Sequence, residues 1–281
     1  MSNTVKIEII FLACLLNLFQ ATASKESIPP TTPRLEKIKW DNSLTLPDLD
    51  DRPNIGVAGA FSGFIGDNLI IAGGANFPNA TPWNGGNKTY WNTIYCINIT
   101  QPTSKWLILP QSMPKALAYG NSIELPTGIL CIGGCDSAQC YNDVFQIQLI
   151  DGQINIDTNW PALPVPLANA TASLLGDKIY LAGGQKSMEK PEATKHFFVL
   201  DLNNRNKRWK ELPSWPGEPR GYAVSTSQSD GFDKCFYLFS GRNYKIDGYI
   251  KALTDGYVFN PRLNSWKKLE QSFPVMAGNA L

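Results

Sequence analysis

Short apolar runs that end in Gly-Gly or Ser-Gly recur along the chain. They read NLIIAGG, GILCIGG, KIYLAGG and CFYLFSG, and they end at Gly74, Gly134, Gly184 and Gly241. Each run is apolar at successive positions rather than at alternate ones, which predicts a strand that is covered on both faces. The glycines at the end predict a tight turn and a close approach by a neighbouring strand.

A tryptophan phrase alternates with these runs. It reads KWDNSLTLP, KWLILP, NWPALP, RWKELP and SWKKLE, at Trp40, Trp106, Trp160, Trp209 and Trp266. A further apolar stretch follows each glycine pair: NTIYCINI, NDVFQIQL, KHFFVLDL and DGYVFNP. With one more strand before each glycine run, the unit has four short strands, a to d, and the tryptophan lies on strand d. Such a unit, repeated about every 50 residues, is typical of a kelch-type β-propeller blade and predicts an all-β fold.

The connections between the predicted strands fall into two sets. Because consecutive strands of a blade alternate in direction, the d–a and b–c loops are predicted to emerge on the same face. The d–a loops contain residues 47–56, 110–117, 162–168 and 212–220, and the b–c loops contain residues 75–90, 135–141, 185–195 and 242–255. A ligand site at the mouth of the propeller is therefore expected to be built from both sets.

The strand count is uneven at the two ends of the chain. Four complete units occupy roughly residues 54–270, a lone d strand at Trp40 precedes them, and VMAGNAL resembles the start of another a strand. A leading d strand is expected to close a blade whose other strands come last, so we expect the chain to be incomplete at its C-terminus by about two blades. The alternative is a natural four-bladed propeller with unpaired strands at its two chain ends, which would leave strand edges exposed where the first and last blades meet.

The first residues are predicted to lie outside the fold. Lys6 precedes the apolar run IEIIFLACLLNLF, and ATAS follows with small residues at Ala21 and Ala23. This pattern predicts a signal peptide over residues 1–23, a linker over 24–35 and the propeller over 36–281. The protein is therefore expected to be exported, to the bacterial periplasm or the medium, with no transmembrane segment in the mature chain. A retained N-terminal anchor is the alternative.

Composition argues against several classes of function. The formal net charge is +1, so no basic field predicts binding to nucleic acid. Five cysteines follow residue 23 and the chain has one histidine, a set that does not suit a four-ligand zinc site, so no metal is expected. The cysteines are expected to be buried thiols, with Cys135–Cys140 as a candidate bridge in an oxidising compartment.

Several phrases resemble a known family. GVAGAFSGFIGDNLIIAGGANFP, LPVPLANATASLLGDKIYLAGG and RWKELPSWPGEPRGYA are similar to sequences of the N-acetylneuraminate mutarotase (epimerase) family of kelch propellers. In the typical enzyme the PVP blade comes early and the GVAGGFAG blade near the end. Here GVAGAFSG comes first, which resembles the cyclically permuted branch. The resemblance covers nearly all of residues 36–281.

This resemblance implies a propeller, six-bladed in the full family, that interconverts the α and β anomers of N-acetylneuraminate (sialic acid). A base takes the anomeric hydroxyl proton and an acid protonates the ring oxygen, so no cofactor is implied. The family's proposed acid–base glutamate and a nearby arginine precede GVAGGFAG, so they are expected beyond Leu281 and no catalytic residue is assigned. Two departures leave the exact sugar open. Leu117 lies where relatives commonly have arginine, and Cys135 lies at a position that glutamate can occupy.

Four residues in or beside the predicted mouth loops are candidates for binding the sugar. Arg220 in PGEPRG matches the family's PGGPR, and an arginine fork suits a carboxylate, with structural pairing between blades as the alternative. Arg242 follows the fourth glycine run, Asn76 offers an amide to sugar hydroxyls, and Arg52 opens the first complete unit. The competing function is a non-catalytic propeller that binds a glycan or a protein, because propellers host both. The sequence does not indicate an oligomeric state.

Overall fold

Antiparallel strands make up almost all of the regular structure. The computed structural model describes residues 44–48, 53–101, 103–244 and 248–271. In these ranges the strands form four sheets of four strands and two sheets of two strands, and a short 3-10 turn at Pro82–Asn84 is the only helical element. No helix in this part of the chain is long and apolar enough to cross a bilayer. The expectations for residues 1–35, Trp40, Arg52 and residues 272–281 fall outside the described residues.

The first blade has the predicted order of strands. It contains β1 (Phe61–Ile65), β2 (Asn68–Ala72), β3 (Ala75–Asn76), β4 (Thr89–Tyr90), β5 (Thr93–Asn98) and β6 (Leu107–Ser112). Strands β1, β2, β5 and β6 pair in that order, and β3 and β4 form a separate hairpin inside the b–c loop. Ile70 and Ala72 of β2 and Ile94 of β5, which share one face of the sheet, are fully buried against the second blade. Leu69 and Ile71 on the other face of β2 are only half-buried.

The second blade differs from the prediction at its outer strand. It contains β7 (Asn121–Leu125), β8 (Gly128–Ile132), β9 (Val144–Ile150) and β10 (Gln153–Asp157), paired in that order. Asp151 and Gly152, with φ of 49° and 76°, close a two-residue hairpin directly after β9, so β10 ends before Trp160. Asp-Gly is typical of type I′ turns, whose central residues both have positive φ. The prediction that Trp160 lies on strand d is therefore wrong.

The third and fourth blades follow the predicted pattern. The third contains β11 (Ala168–Leu175), β12 (Lys178–Gln185), β13 (Phe197–Asp201) and β14 (Trp209–Glu211). The fourth contains β15 (Val224–Ser229), β16 (Lys234–Phe239), β17 (Arg242–Tyr244), β18 (Ile250–Ala252), β19 (Gly256–Asn260) and β20 (Ser265–Lys268), and β17 pairs with β18 in the b–c loop. Trp209 and Trp266 lie on the outer strands as predicted, whereas Trp106 directly precedes β6.

Neighbouring blades pack face to face through three apolar clusters. One cluster joins blades one and two, the next joins blades two and three, and the last joins blades three and four. The last is rich in aromatic rings: Phe197 meets Trp266 edge-on at a centroid distance of 4.8 Å, and Tyr180 packs on Phe236 at 5.9 Å. The second and third sheets are thus covered on both faces, which is the packing of a kelch-type propeller.

The innermost strands meet through hydroxyl groups. Ser122 Oγ of β7 accepts a hydrogen bond from the backbone N–H of Ser62 in β1 at 2.9 Å. Ser225 Oγ of β15 lies 2.8 Å from Thr171 Oγ1 and 2.9 Å from Ser173 Oγ of β11. These bonds tie the inner edges of consecutive blades together and make that edge polar.

The glycine pairs allow one blade to approach the next. Gly133 and Gly183 have φ of 64° and 71°, and a Cβ at either position would collide with the backbone carbonyl oxygen of Leu167 or Arg220. The second glycine of each pair donates its N–H to the same carbonyl, at 2.8 Å for Gly134 and 2.9 Å for Gly184. The predicted close approach is therefore confirmed, and its cause is contact with backbone that leaves no space for a side chain.

Candidate functional site at the mouth

The d–a and b–c loops lie on the same face of the described blades, as predicted. In each blade, one residue of the d–a loop pairs in antiparallel fashion with the residue that follows the glycine run. The four pairs are Ala58–Ala75, Ala118–Cys135, Ala168–Gln185 and Gly221–Arg242. Because both loops of every blade meet at this edge, side chains from all four blades border the mouth.

A ladder of backbone hydrogen bonds connects the four blades at the mouth. Its members directly follow the paired d–a residues: Gly59, Tyr119, Asn169 and Tyr222. Each later member donates its N–H to the carbonyl of the one before, at 2.7, 2.8 and 2.8 Å. We call these four residues the mouth ladder. All have positive φ, between 55° and 65°. Residues other than glycine rarely adopt this conformation, so the three side-chain-bearing members are held there by the bonds between blades.

Asn169 carries the most poorly satisfied polar side chain of the mouth ladder. It is 0% exposed, and within the described part of the chain neither its Nδ2 nor its Oδ1 has a hydrogen-bond partner. A buried polar group left without a partner costs about 1–3 kcal/mol. Such a group requires an explanation in a native protein, and an ordered water or a bound polar molecule would each provide the missing partner.

Two cationic side chains lie beside the neighbours of Asn169 on the ladder. The guanidinium carbon of Arg242 is 3.8 Å from the ring centroid of Tyr222, a close cation–π contact. Lys88, in the b–c loop of the first blade, donates a hydrogen bond to the Tyr119 hydroxyl at 3.1 Å and lies 5.0 Å from its ring centroid. The side chains of these two cations and of the two tyrosines, Tyr222 and Tyr119, are all partly exposed. The mouth therefore presents positive charge that suits a carboxylate ligand.

Arg220 lies inside the blade packing rather than on the surface of the mouth. Its side chain is 0% exposed, Nη1 donates to the Ser240 carbonyl at 2.8 Å, and Nη2 donates to Asp255 Oδ1 at 2.9 Å. The guanidinium carbon lies 5.6 Å from the Trp215 ring centroid and 5.1 Å from that of Tyr257. These contacts hold Arg220 against the fourth blade.

The internal repeat explains this placement. Arg220 is equivalent to Leu117 and Leu167, because the carbonyl of each accepts a hydrogen bond from the second glycine of the preceding blade. Both leucines are 1% exposed. An arginine at this position therefore fills a packing site between blades. The geometry favours the structural alternative for Arg220, and its contact with a sugar stays a prediction.

The Asp255 carboxyl remains ionised beside Arg220. Burial alone would raise its pKa, but the hydrogen bond from the Tyr257 hydroxyl, at 2.5 Å, and the charge of Arg220 outweigh burial and lower the pKa. Burial and that same hydrogen bond raise the pKa of Tyr257 to about 12. Asp255 is thus a fixed negative charge that neutralises Arg220, and it does not act as a proton donor at neutral pH.

Asn76 uses its amide within its own blade. Its Nδ2 donates to the Gly56 carbonyl at 2.8 Å, and its Oδ1 accepts from Trp91 Nε1 at 2.8 Å. These bonds fix the β3–β4 hairpin beside the mouth, which is the turn-holding role of an asparagine. Contact between Asn76 and a sugar stays a prediction, and Arg52 lies outside the described residues.

The two departures from the family pattern are both buried. Leu117 is 1% exposed and packs in the cluster between the first two blades, so an apolar side chain fits its site. Cys135 and Cys140 pack together against the partly buried Tyr90 and Tyr119. Burial, followed by the proximity of Cys135 and Tyr119, raises the pKa of Tyr90 well above its usual value.

Comparison with known proteins assigns the chain to a family. The family model described as N-acetylneuraminate epimerase matches residues 25–156 and 160–280. The chain belongs to the N-acetylneuraminate epimerase family. This result confirms the resemblance carried by the GVAGAFSG and WPGEPR phrases.

Curated relatives share part of the chain with it. An N-acetylneuraminate epimerase of Haemophilus influenzae (strain PittEE) is 31% identical over 118 residues, which is 41% of this chain and 28% of the relative. One of Escherichia coli (strain K12) is 31% identical over 120 residues, 42% of this chain and 30% of the relative. A kelch domain-containing protein of Vibrio cholerae is 33% identical over 116 residues, which is 41% of this chain and 30% of the relative. The matched region therefore spans less than a third of the length of each of these three relatives.

A solved structure agrees with the fold. The structure of YjhT superposes on this chain with a TM-score of 0.63 at 16% sequence identity, covering 81% of this chain and 74% of that one. At this identity the likeness shows the fold alone, a kelch-type propeller.

Sequence reasoning did not select Lys88, Asn169 or Tyr222 as candidate residues of the mouth. Aligning the units on their glycine runs could have found Asn169, because Asn169 and Gly59 each lie 15 residues before the last glycine of their run. Tyr222 lies 19 residues before Gly241, so this alignment does not find it. Lys88 lies in the b–c loop segment GGNKTYW, and the b–c loops of the four units differ in length and sequence. Within the described ranges, no three His, Cys, Asp or Glu side chains are grouped to hold a metal ion.

Proposed function

We propose that this protein interconverts the anomers of N-acetylneuraminate, or sialic acid, and that it binds the sugar at the mouth ladder. Family membership supports the activity. The observation that carries the site is the Asn169 amide, which is fully buried between Tyr119 and Tyr222 and has no hydrogen-bond partner among the described residues. This sugar acid offers hydroxyl and amide groups to such a side chain, and its carboxylate suits the adjacent Lys88 and Arg242.

Arg242 is the better carboxylate ligand of the two arginine candidates in the described mouth. The guanidinium of Arg220 already bonds to Asp255 and to the Ser240 carbonyl inside the blade packing. Arg242 is partly exposed, and Tyr222 supports its guanidinium from one side. A planar guanidinium held in this way can offer two parallel N–H groups to a carboxylate.

The chemistry requires a base at the anomeric hydroxyl and an acid at the ring oxygen, and well-placed groups of this kind contribute about 10²–10⁴-fold. Two described carboxylates at the mouth end of the blades, Asp136 and Asp255, accept hydrogen bonds from the hydroxyls of Tyr141 and Tyr257. Their lowered pKa values keep both ionised despite burial, so neither is assigned as the acid. The proposal therefore gives sugar binding to the described mouth and assigns proton transfer to none of the described residues.

The test measures binding and exchange separately. NMR follows the α-anomer signal after β-anomer is dissolved with the 281-residue chain, with the product of any longer reading frame, or with no protein. Calorimetry measures the affinity for sialic acid. Replacing Arg242 by glutamine should weaken binding about 10- to 100-fold, as expected for a lost charge-assisted hydrogen bond. The matched control is Arg262→Gln, because Arg262 pairs with Asp233 in the turns at the opposite end of the fourth blade.

Two outcomes would redirect the proposal. Equal affinity of the Arg242→Gln and Arg262→Gln variants would show that the sugar does not bind at the described mouth. Binding without acceleration of the exchange by either chain would favour the competing function, a non-catalytic kelch propeller that binds a glycan.

We also propose that the protein is exported, to the bacterial periplasm, after removal of residues 1–23. The apolar run behind Lys6 and the small residues Ala21 and Ala23 support this proposal. Mass spectrometry of the protein from a periplasmic extract should give an N-terminus near Ser24. Protein that keeps Met1 and fractionates with the cytosol would contradict export.

A further inference from the structure

Cys135 and Cys140 lie opposite each other on antiparallel backbone in the b–c loop of the second blade. The hydrogen bonds that flank the pair run from Asp136 N to Gln139 O, 3.0 Å, and from Tyr141 N to Gly134 O, 2.8 Å. The bonds enclose the two cysteines instead of joining them. Cys135 and Cys140 are therefore a non-hydrogen-bonded pair, in which Cα atoms lie about 4.5 Å apart and side chains approach most closely.

That separation suits a covalent bridge. Disulfides join Cα atoms about 4.4–6.8 Å apart, so the pair needs no movement of the backbone. The two side chains are 0% and 6% exposed and pack in one small cluster with Ala168. The other described cysteines lie in strands β5, β8 and β16. Among the described residues, backbone pairing holds only these two cysteines side by side.

We propose that Cys135 and Cys140 form an intramolecular disulfide that clamps the b–c loop of the second blade at the mouth. The oxidant is a disulfide, either of a small-molecule thiol or of a dithiol oxidoreductase. The Cys140 thiolate attacks one sulfur of that disulfide and releases the first thiolate. Cys135 then attacks the Cys140 sulfur of the mixed disulfide and releases the second. Two protein thiols lose two electrons, and their protons pass to the two released thiols.

The order of attack follows from the surroundings. Cys140 is the more exposed of the two sulfurs, so it meets the oxidant first. The hydrogen bond from the Cys135 thiol also lowers the pKa of Cys140, which favours the nucleophilic thiolate. Cys135 is fully buried behind it and is placed to resolve the mixed disulfide.

The bridge would act on the mouth without depending on which ligand binds there. Cys135 directly follows the glycine pair, and its side chain packs against Tyr90, which contacts Tyr119 of the mouth ladder edge-on at a centroid distance of 6.4 Å. Closing the loop at residues 135–140 removes freedom from the unfolded chain. We expect the oxidised protein to melt about 4–9 °C above the reduced protein.

Peptide mapping tests the bridge directly. The protein is treated with oxidised glutathione, unfolded with remaining thiols alkylated, and cleaved on the amino side of aspartate. This cleavage separates residues 67–135 from residues 136–142, and the second fragment contains only Cys140. We expect fragment 136–142 to stay attached to fragment 67–135 until a reductant is added.

Cysteine variants identify the partner. Because fragment 67–135 also contains Cys96 and Cys131, the Cys135→Ala variant should release fragment 136–142 without reductant, whereas Cys131→Ala should keep the link. The difference in melting temperature between oxidised and reduced protein should vanish in Cys135→Ala and persist in Cys131→Ala. Release of fragment 136–142 from the oxidised wild-type protein, or a link that survives in Cys135→Ala, would overturn the proposal.

Discussion

Replacing Asn169 by glycine should make this protein more stable. Asn169 has a φ of 55°, is 0% exposed, and has two amide atoms without partners among the described residues. Glycine adopts this φ without strain, and its presence removes both polar atoms from the interior. The backbone bonds of the mouth ladder do not involve the side chain, so they remain in the variant.

The expected gain is about 1–2 kcal/mol. The unsatisfied amide costs about 1–3 kcal/mol, taken near the upper end because donor and acceptor are both unpaired. Glycine reduces this gain by about 0.5–1 kcal/mol, because it gives the unfolded chain more conformational freedom. The lost van der Waals contacts of a small side chain cost roughly another 0.5 kcal/mol. For a domain of this size the net gain should raise the melting temperature by about 2–8 °C.

Urea and thermal unfolding of three proteins check the reasoning: wild type, Asn169→Gly and Asn169→Ala. Alanine also removes the amide but is strained at this φ, so it should be less stable than the glycine variant by about 1 kcal/mol. A glycine variant less stable than wild type would refute the reasoning, because it would show that the amide has favourable partners, such as an ordered water.

The same variant separates folding from function. If the amide binds sialic acid, Asn169→Gly should bind the sugar more weakly while it resists urea better. Opposite signs in the two measurements are the signature of a side chain kept for a ligand at a cost to stability. Unchanged affinity would remove Asn169 from the sugar site and leave the stability argument intact.

Three further predictions concern the packing between blades. Arg220→Ala should lower the free energy of unfolding in urea by about 2–4 kcal/mol, because it leaves the half-buried Asp255 charge without its cation; a loss below 1 kcal/mol would contradict this. Gly183→Ala should cost about 2–4 kcal/mol, because its methyl group meets the Arg220 carbonyl, whereas Gly176→Ala in an open turn should cost less. The folded state lowers the pKa of Asp255, so its contribution is complete above the unfolded value of about 3.9 and is lost as pH falls through the folded pKa. Urea midpoints measured below about pH 4 should therefore fall more steeply for wild type than for Asp255→Asn.

Runs of apolar residues made most of the strands predictable. The inner strands are rich in apolar side chains, and the runs NLIIA and GILCI form β2 and β8 as predicted. The outer strand of the second blade was not predictable from its tryptophan, because strand β10 has a polar and half-exposed sequence, QINID. The hairpin signal was present at Asp151–Gly152, and local turn geometry decided where β10 begins.

Side-chain roles at the mouth were harder to predict than strands. PGEPRG predicted an arginine near the mouth, and Arg220 is there, but its guanidinium faces Asp255 inside the packing. Whether an arginine in a loop points outward or inward depends on the partner it finds, and Asp255 is 35 residues away in sequence. The lack of hydrogen-bond partners for the Asn169 amide among the described residues is likewise a property of the assembled blades and has no local signal.

Comparison of the four blades with one another separates the demands of folding from those of function. The residue after the glycine run makes the same backbone pair in each blade, yet it is Ala75, Cys135, Gln185 and Arg242 in turn. Alanine satisfies this pairing in the first blade, so folding does not require the thiol, the amide or the cation. The mouth ladder repeats the pattern, because strain-free Gly59 is followed by three residues whose positive φ costs on the order of 1 kcal/mol each. Varied side chains and strained backbone therefore occur together at the mouth edge of an otherwise regular set of sheets. We expect the activity of this chain to reside at that edge.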